Sequence, residues 1–299
     1  MVKVIDGRRL AEGLRPNLLR RGQAVAERRG APPGLAVILV GNDPASAVYV
    51  RNKIRACEAV GIRSACLRFP ESIGNADLLE TIANLNADPG IDGILVQLPL
   101  PAHIRLDQVL EAISVQKDVD GFHLYNVGGL VTGNTIFSPC TPYGVVKLLE
   151  SENIPIEGQN VVVVGASNIV GKPMALMLMA RGATVAICHA KTRDLAQFTI
   201  LADILVVAAG VPNLIIGQMV KTGAVVIDVG INRLADGCIT GDVDFNGVSA
   251  KASRITPVPG GVGPMTVTML LENTIASAER ALAHQQSHAA PDIPQFQRA

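Results

Sequence analysis

The sequence predicts an α/β protein of two α/β domains, the second a Rossmann-like doubly wound parallel sheet, with a cleft between them. Three observations predict it. Short continuous apolar runs, such as residues 35–40 and 160–164, are bounded by turn residues, as expected of parallel strands buried on both faces. These runs alternate with stretches of helical spacing in both halves of the chain. The length, 299 residues with 48% apolar content, suits roughly two domains of about 150 residues each.

In the first half, residues 7–29 are rich in Arg, Leu, Ala and Glu at helical spacing. Residues 35–40 then read as a buried strand. Asp43-Pro44 marks a helix start with proline in the first turn, and that helix runs to a capping Gly61. A weaker strand over 65–69, a helix over 75–88 and a strand over 93–97 complete the rhythm.

The second half begins near Pro139, where Ser-Pro-Cys-Thr-Pro breaks the chain. Strands are expected over 160–164, 183–188, 204–208 and 224–228, with a turn from Gly165 to Gly171 and a helix over 172–181. A long helix over 265–284 is expected to pack back on the first domain. The polar, proline-containing tail from His284 is expected to be disordered. The expected domains are therefore 1–138 with 267–299 for the substrate, and 139–266 for a dinucleotide.

Composition narrows the function. Lys plus Arg and Asp plus Glu are 26 each, so no net field draws the chain to nucleic acid or an anionic membrane. Six Phe, three Tyr and no Trp are too few for a base-stacking platform. Five cysteines, Cys57, Cys66, Cys140, Cys188 and Cys238, form no CxxC pair and imply neither a disulfide framework nor a zinc site. No long apolar stretch opens the sequence or crosses a bilayer, so a cytoplasmic location is expected.

The turn Gly165-Ala-Ser-Asn-Ile-Val-Gly171-Lys-Pro is neither GxGxxG nor a Walker A loop. A glycine there still lets backbone approach a diphosphate, and the next helix offers free N–H groups at its start; Ser167 and Asn168 can add donors. On the loop alone a plain strand-to-helix turn is as good a reading, and the surrounding strands tip the balance to a dinucleotide. After Cys188 no Asp or Glu meets a ribose 2′-hydroxyl, which permits a 2′-phosphate. Lys191 either attracts that phosphate or is a solvated loop lysine.

Tyr49 and Lys53 stand four residues apart on one helix face, with Cβ atoms about 6 Å apart. Gln97 ends a strand before Leu-Pro-Leu-Pro, and Asp120 lies in Lys117-Asp-Val-Asp-Gly-Phe-His123. Taken singly, these are also what an amphipathic face, a turn and a polar loop look like.

Eight segments taken together resemble the bifunctional methylenetetrahydrofolate dehydrogenase/cyclohydrolase family. They are Val40-Gly-Asn-Asp-Pro-Ala-Ser46 with Tyr49 and Lys53, Ile94-Leu-Val-Gln-Leu-Pro-Leu-Pro101, Lys117-Asp-Val-Asp-Gly-Phe-His123 and Pro139-Cys-Thr-Pro-Tyr-Gly144 in the first half. Ser167-Asn-Ile-Val-Gly-Lys-Pro173, Val226-Ile-Asp-Val-Gly-Ile-Asn232, Gly241-Asp-Val-Asp244 and Pro257-Val-Pro-Gly-Gly-Val-Gly-Pro-Met-Thr266 complete the set. The resemblance runs in order, at matching spacings, to about Arg280.

The resemblance implies roles. Lys53 is similar to the family's catalytic lysine, Tyr49 to the tyrosine that packs on folate, and Gln97 to the glutamine that bonds the lysine. Ser46 matches a serine near that site. Val96 and Leu98 flank the glutamine on the substrate side, Asp120 resembles the pterin-binding aspartate, and Pro259, Gly260 and Gly263 the loop that closes on folate. Thr141, Gly165, Ala166, Ser167, Ile169, Ala190, Lys191, Ala209, Gly210, Ile231 and Thr266 fall where the family lines its dinucleotide cleft. A homodimer is implied as well, and no metal.

The chemistry suits these residue types. Hydride transfer from a bridging methylene carbon is driven by the substrate nitrogen and needs positioning. Hydrolysis of the methenyl product needs a group that takes and returns protons, and a lysine held by glutamine beside tyrosine serves. Two departures bear on the cofactor. Ala166 stands where the family commonly has arginine, a natural 2′-phosphate partner, and Ala190 where it often has Ser or Arg. Lys191 is then the only cation expected nearby. NADP is the first choice and NAD the alternative. A shikimate-type dehydrogenase would lack the Val-Gln-Leu-Pro-Leu-Pro and Pro-Gly-Gly-Val-Gly-Pro segments, and a non-catalytic nucleotide sensor would be expected to have lost Lys53 or Gln97.

Overall fold

The computed structural model describes residues 2–288. In chain order the elements are β1 (Lys3–Val4), α1 (Gly7–Arg29), β2 (Gly34–Val40), α2 (Pro44–Glu58), β3 (Arg63–Phe69), α3 (Asn75–Ala87) and β4 (Gly93–Val96). Then come α4 (Leu106–Ala112), α5 (Leu124–Thr132), α6 (Cys140–Ser151), β5 (Asn160–Val164), α7 (Gly171–Met179) and β6 (Thr184–Cys188). The rest are α8 (Ala196–Thr199), β7 (Ile204–Val207), β8 (Val225–Asp228), β9 (Asn232–Arg233), β10 (Ile239–Thr240), α9 (Phe245–Ser249), β11 (Arg254–Ile255) and α10 (Val262–His288).

Two parallel sheets organise the molecule, as the apolar runs predict. The first has the order β3-β2-β4 and the second β1-β11-β8-β7-β5-β6. Strand β2 is buried along its whole length, and β7 and β8 likewise. Such strands need apolar side chains on both faces, which is why they read as unbroken runs. In each sheet the chain reverses its direction of travel once, between β2 and β4 and between β5 and β7. In open parallel sheets ligands bind outside the strand ends at such switch points.

One expected boundary needs correction. The sequence reading placed residues 1–138 together, but β1 pairs in parallel with β11 and so belongs to the second sheet. Its two residues are too short a run to show as a strand in sequence. At the other end of the chain, α10 begins at Val262, three residues before its expected start, and packs against α1, α6, β2 and β4. It continues through residues 284–288, which the sequence reading gave to the disordered tail; residues 289–299 lie outside the described residues. Buried polar residues of α10 hold backbone of the first half. Asn273 donates to the carbonyls of Val119 and Ser138 at 2.9 and 3.1 Å, and the Ser277 hydroxyl donates to that of Asp92 at 2.7 Å. Arg21 of α1 forks onto Glu279 at 2.7 and 2.9 Å and reaches Glu272, tying α1 to α10.

Among the described residues, no helix is long and apolar enough to cross a membrane, and no group of three or more His, Cys, Asp or Glu could hold a metal ion.

Candidate active site

Helix α2 leaves the first sheet at its switch point. Asp43 caps it, its carboxylate accepting from the Ser46 backbone N–H at 2.7 Å, so the following residues start in a defined register. Ser46 is buried at this first turn. Two turns on, the Lys53 side-chain nitrogen donates to the Gln97 side-chain oxygen at 3.0 Å. Gln97 follows β4, whose Val96 is buried, and its own amide nitrogen donates to the Leu98 carbonyl at 2.7 Å. That second bond fixes which end of the amide faces the lysine. The Leu98–Pro99 peptide is cis, and turns the chain away after the glutamine. Tyr49, one turn before Lys53, is partly exposed, and burial of its ring pushes the phenol above its usual range.

Asp120 joins this group. Burial raises its carboxyl above the usual range, the charge of Lys53 opposes that rise, and Asp118 adds to it. Next to it is a residue the sequence reading did not single out. The buried Cys140 thiol donates to the Val119 carbonyl at 3.3 Å and is pushed well above its usual range, by burial first and then by Asp120. Asp118, also not singled out, ties the loop together. It accepts from the backbone of Phe122 and His123 and from the Asn126 side chain, at 3.2, 2.8 and 2.7 Å. Gly121 has φ +78°, and a Cβ there would stand 2.6 Å from the Pro139 nitrogen, so only glycine lets this loop pass the chain break.

The second switch point carries the expected dinucleotide turn. Gly165 has φ +122°, and a Cβ on it would lie 2.1 Å from the Ala208 carbonyl oxygen. Gly171 presses equally close to Gly165. The Ser167 hydroxyl oxygen accepts from Val170 and Gly171 N–H at 3.1 and 3.3 Å, which holds the turn against the start of α7 and leaves the O–H proton to donate. Asn168 takes the Lys172 ammonium at 2.7 Å. The glycine cradle and the start of α7 nonetheless fit a diphosphate. Ala166 and Ile169 are half-buried on the same turn.

Ala190 and Lys191 stand on an exposed turn after β6, shaped by His189 N–H donating to the Thr192 hydroxyl at 2.9 Å. Lys191 is not the only cation there, as the sequence reading had it: Arg193 lies two residues on, equally exposed. Across the cleft wall, Thr141 of α6 and Thr266 of α10 share a hydrogen bond of 3.0 Å. Exposed Ile231 follows β8, and its side chain lies 4.0 Å from the Cβ position of Gly263. Pro259 follows a cis peptide, and Gly260 takes φ +114°, its carbonyl accepting from Arg8 N–H at 3.0 Å. Ala209 and Gly210 form the exposed turn after β7.

The arrangement is that of a dinucleotide-dependent enzyme with a second group of polar side chains, Lys53, Gln97 and Asp120, at the first sheet. Residues 5–120 match the catalytic domain of tetrahydrofolate dehydrogenase/cyclohydrolase, and residues 139–282 its NAD(P)-binding domain. A bifunctional protein FolD from Nitrosospira multiformis is 59% identical over 286 residues, 96% of this chain and 99% of its own. The Campylobacter jejuni bifunctional FolD crystal structure has a TM-score of 0.91 at 53% identity, covering 94% of this chain and 99% of that one. The Trypanosoma brucei FolD structure, complexed with NADP cofactor and inhibitor, has a TM-score of 0.90 at 39% identity, covering 93% and 98%. The chain belongs to the tetrahydrofolate dehydrogenase/cyclohydrolase family. Its two reactions are the oxidation of 5,10-methylenetetrahydrofolate and the hydrolysis of the methenyl product to 10-formyltetrahydrofolate.

Proposed function

We propose that one cleft performs both steps, with residues near Lys53 holding folate and the Gly165 turn holding NADP. The observation that carries this is the Lys53–Gln97 contact of 3.0 Å at the first switch point, beside Asp120. Asp120 holds the pterin, Tyr49 packs on the folate rings, and Val96, Leu98, Pro259, Gly260 and Gly263 line the substrate's path. When bound, the nicotinamide supplies the hydride acceptor for the first step. Lys53 and Gln97 then serve the second. Water adds to the methenyl carbon, forming a C–O bond, and the uncharged Lys53 amine takes up one of its two protons. The bond from that carbon to the folate N5 breaks, the lysine returns its proton to N5, the new hydroxyl gives its own proton to solvent as it becomes the formyl carbonyl, and the formyl group stays on N10. Gln97 keeps the lysine aimed through the cycle. Ser46, buried at the first turn of α2, supports the same wall.

Thr141, Gly165, Ala166, Ser167, Ile169, Ala190, Lys191, Ala209, Gly210, Ile231 and Thr266 line the dinucleotide side. NADP is favoured over NAD because no carboxylate ends β6 or precedes the exposed Lys191 and Arg193 after it, and because a similar FolD is described in complex with NADP. In this division residues 6–138 with the later part of α10 bind folate, and 139–266 bind the dinucleotide. The protein acts in the cytoplasm as a homodimer. Strand β6 is a sheet edge with exposed Ile187, a surface a second copy can cover. A monomeric mass in light scattering at micromolar concentration would rule the dimer out.

The test uses purified protein and 5,10-methylenetetrahydrofolate. NADPH formation is expected to exceed NADH formation, and added methenyl substrate is expected to lose its absorbance without any dinucleotide. Failure of either reaction would overturn the shared cleft.

A further inference from the structure

We propose that Asp242 is a positioning residue for the dinucleotide, holding the two backbone turns of the second switch region at a fixed separation. Its side chain is fully buried and faces two loops at once. One carboxylate oxygen accepts the backbone N–H groups of Ala209 and Gly210, at 2.6 and 2.9 Å. The other accepts the side-chain amide of Asn232 at 2.8 Å. The turn after β7 and the stretch after β8 thus meet on a single anion, more than 30 residues from the first and 10 from the second.

Asp242 is itself held. Asp228, the last residue of β8, accepts the backbone N–H of Asp242 and of Gly230 on one oxygen and of Val243 on the other, each at 3.0 Å. Two glycines make the approach possible. A Cβ at Gly230 would stand 2.2 Å from the Asp242 carboxylate, and one at Gly241 would stand 1.8 Å from that of Asp228. The segments Val226-Ile-Asp-Val-Gly-Ile-Asn232 and Gly241-Asp-Val-Asp244 are therefore one device: two carboxylates in series, with glycines where they dock. A buried carboxylate satisfied by N–H donors is strongly committed to its geometry, because removing it leaves those donors unpaired. The Asp242 side chain does not reach the cleft surface. It acts through Ala209, Gly210 and Asn232.

The inference rests on the reading that Ala209 and Gly210 line the dinucleotide cleft. Hydrolysis of the methenyl substrate needs no dinucleotide, so the protein carries its own control. Asp242→Asn places an amide against the donors. It is expected to raise the KM for NADP about tenfold, the size of one lost charge-assisted contact, and to leave hydrolysis within about twofold. Asn232→Ala, which removes one arm and disturbs the fold least, is expected to give a smaller rise of the same kind. Amide hydrogen exchange separates the two layers of the inference. In the unaltered enzyme NADP is expected to slow exchange at Ala209 and Gly210; if it does not, the reading of the cleft fails. If NADP does slow them, but Asp242→Asn neither speeds their exchange nor changes the KM for NADP, the positioning role fails. Equal loss of both activities in Asp242→Asn and in Asn232→Ala would also overturn it, since that is what a purely structural carboxylate would do.

Discussion

The two switch points solve the same problem with different parts. At the first sheet the work falls to long side chains, Lys53 and Gln97 meeting at 3.0 Å, with Asp120 and Cys140 beside them. At the second it falls to backbone: glycines at Gly165 and Gly171 that let loops touch, the start of α7, and the Ala209–Gly210 turn, whose N–H groups are taken up by Asp242. Chemistry that moves protons needs functional groups with reach. Binding a diphosphate needs amides and a close approach. A substitution should therefore hurt one reaction at the first site and discriminate between cofactors at the second.

The largest break in that comparison is expected from Lys53→Met. Methenyl hydrolysis should fall about 10²- to 10⁴-fold, the usual worth of a general acid–base group, while dinucleotide binding persists. Fluorescence titration with NADPH beside a methenyl absorbance assay measures both, and hydrolysis within a few-fold of the unaltered enzyme would remove the lysine from this role. Gln97→Ala should come next. It keeps the lysine and removes its only described acceptor in that contact, at a cost of about ten- to a hundredfold in hydrolysis.

On the dinucleotide side, Ala166→Arg sharpens the contrast without touching the first sheet. An arginine there can fork onto a 2′-phosphate, and the kcat/KM ratio of NADP to NAD should rise by about tenfold, mostly through KM. If the ratio does not move, Lys191 and Arg193 already hold the phosphate, and Lys191→Ala and Arg193→Ala are expected to lower it. The smallest effect concerns Asp228. Burial raises its carboxyl from near 3.8 to about 6, against the pull of its backbone donors. A carboxyl raised on folding adds stability that is complete below about pH 4 and lost as pH climbs through about 6. Acidifying from about pH 7 to about 5.5 should thus favour the unaltered fold over Asp228→Asn by less than about 1 kcal/mol, read from urea unfolding at both values.

How much of this was legible in sequence follows from which interactions leave a local trace. Strands β2, β5, β7 and β8 are buried nearly throughout, and announce themselves as apolar runs. Strands β1 and β11 are two residues each, and β1 owes its existence to a neighbour some 250 residues away, so no local pattern marks them. Helices α4 to α6 passed unread in a stretch broken by Pro99, Pro101, Pro139 and Pro142. In the site, Tyr49 and Lys53 share a helix face, and spacing shows it. That Lys53 meets Gln97 across two elements was implied only by resemblance. The roles of Asp242 and Asp118 were invisible, because most of their partners are backbone N–H groups, which every residue but proline carries.

The crossing of the chain's two ends has a mechanical meaning. The first strand leaves the folate half to seal the edge of the other sheet, and the last helix returns along the folate half after the dinucleotide sheet is complete. Each half is stitched to its neighbour at both ends, like two boards laced by one cord. Cutting at residue 139 would not free two working pieces: it would strip a strand from one and deprive the other of its longest helix.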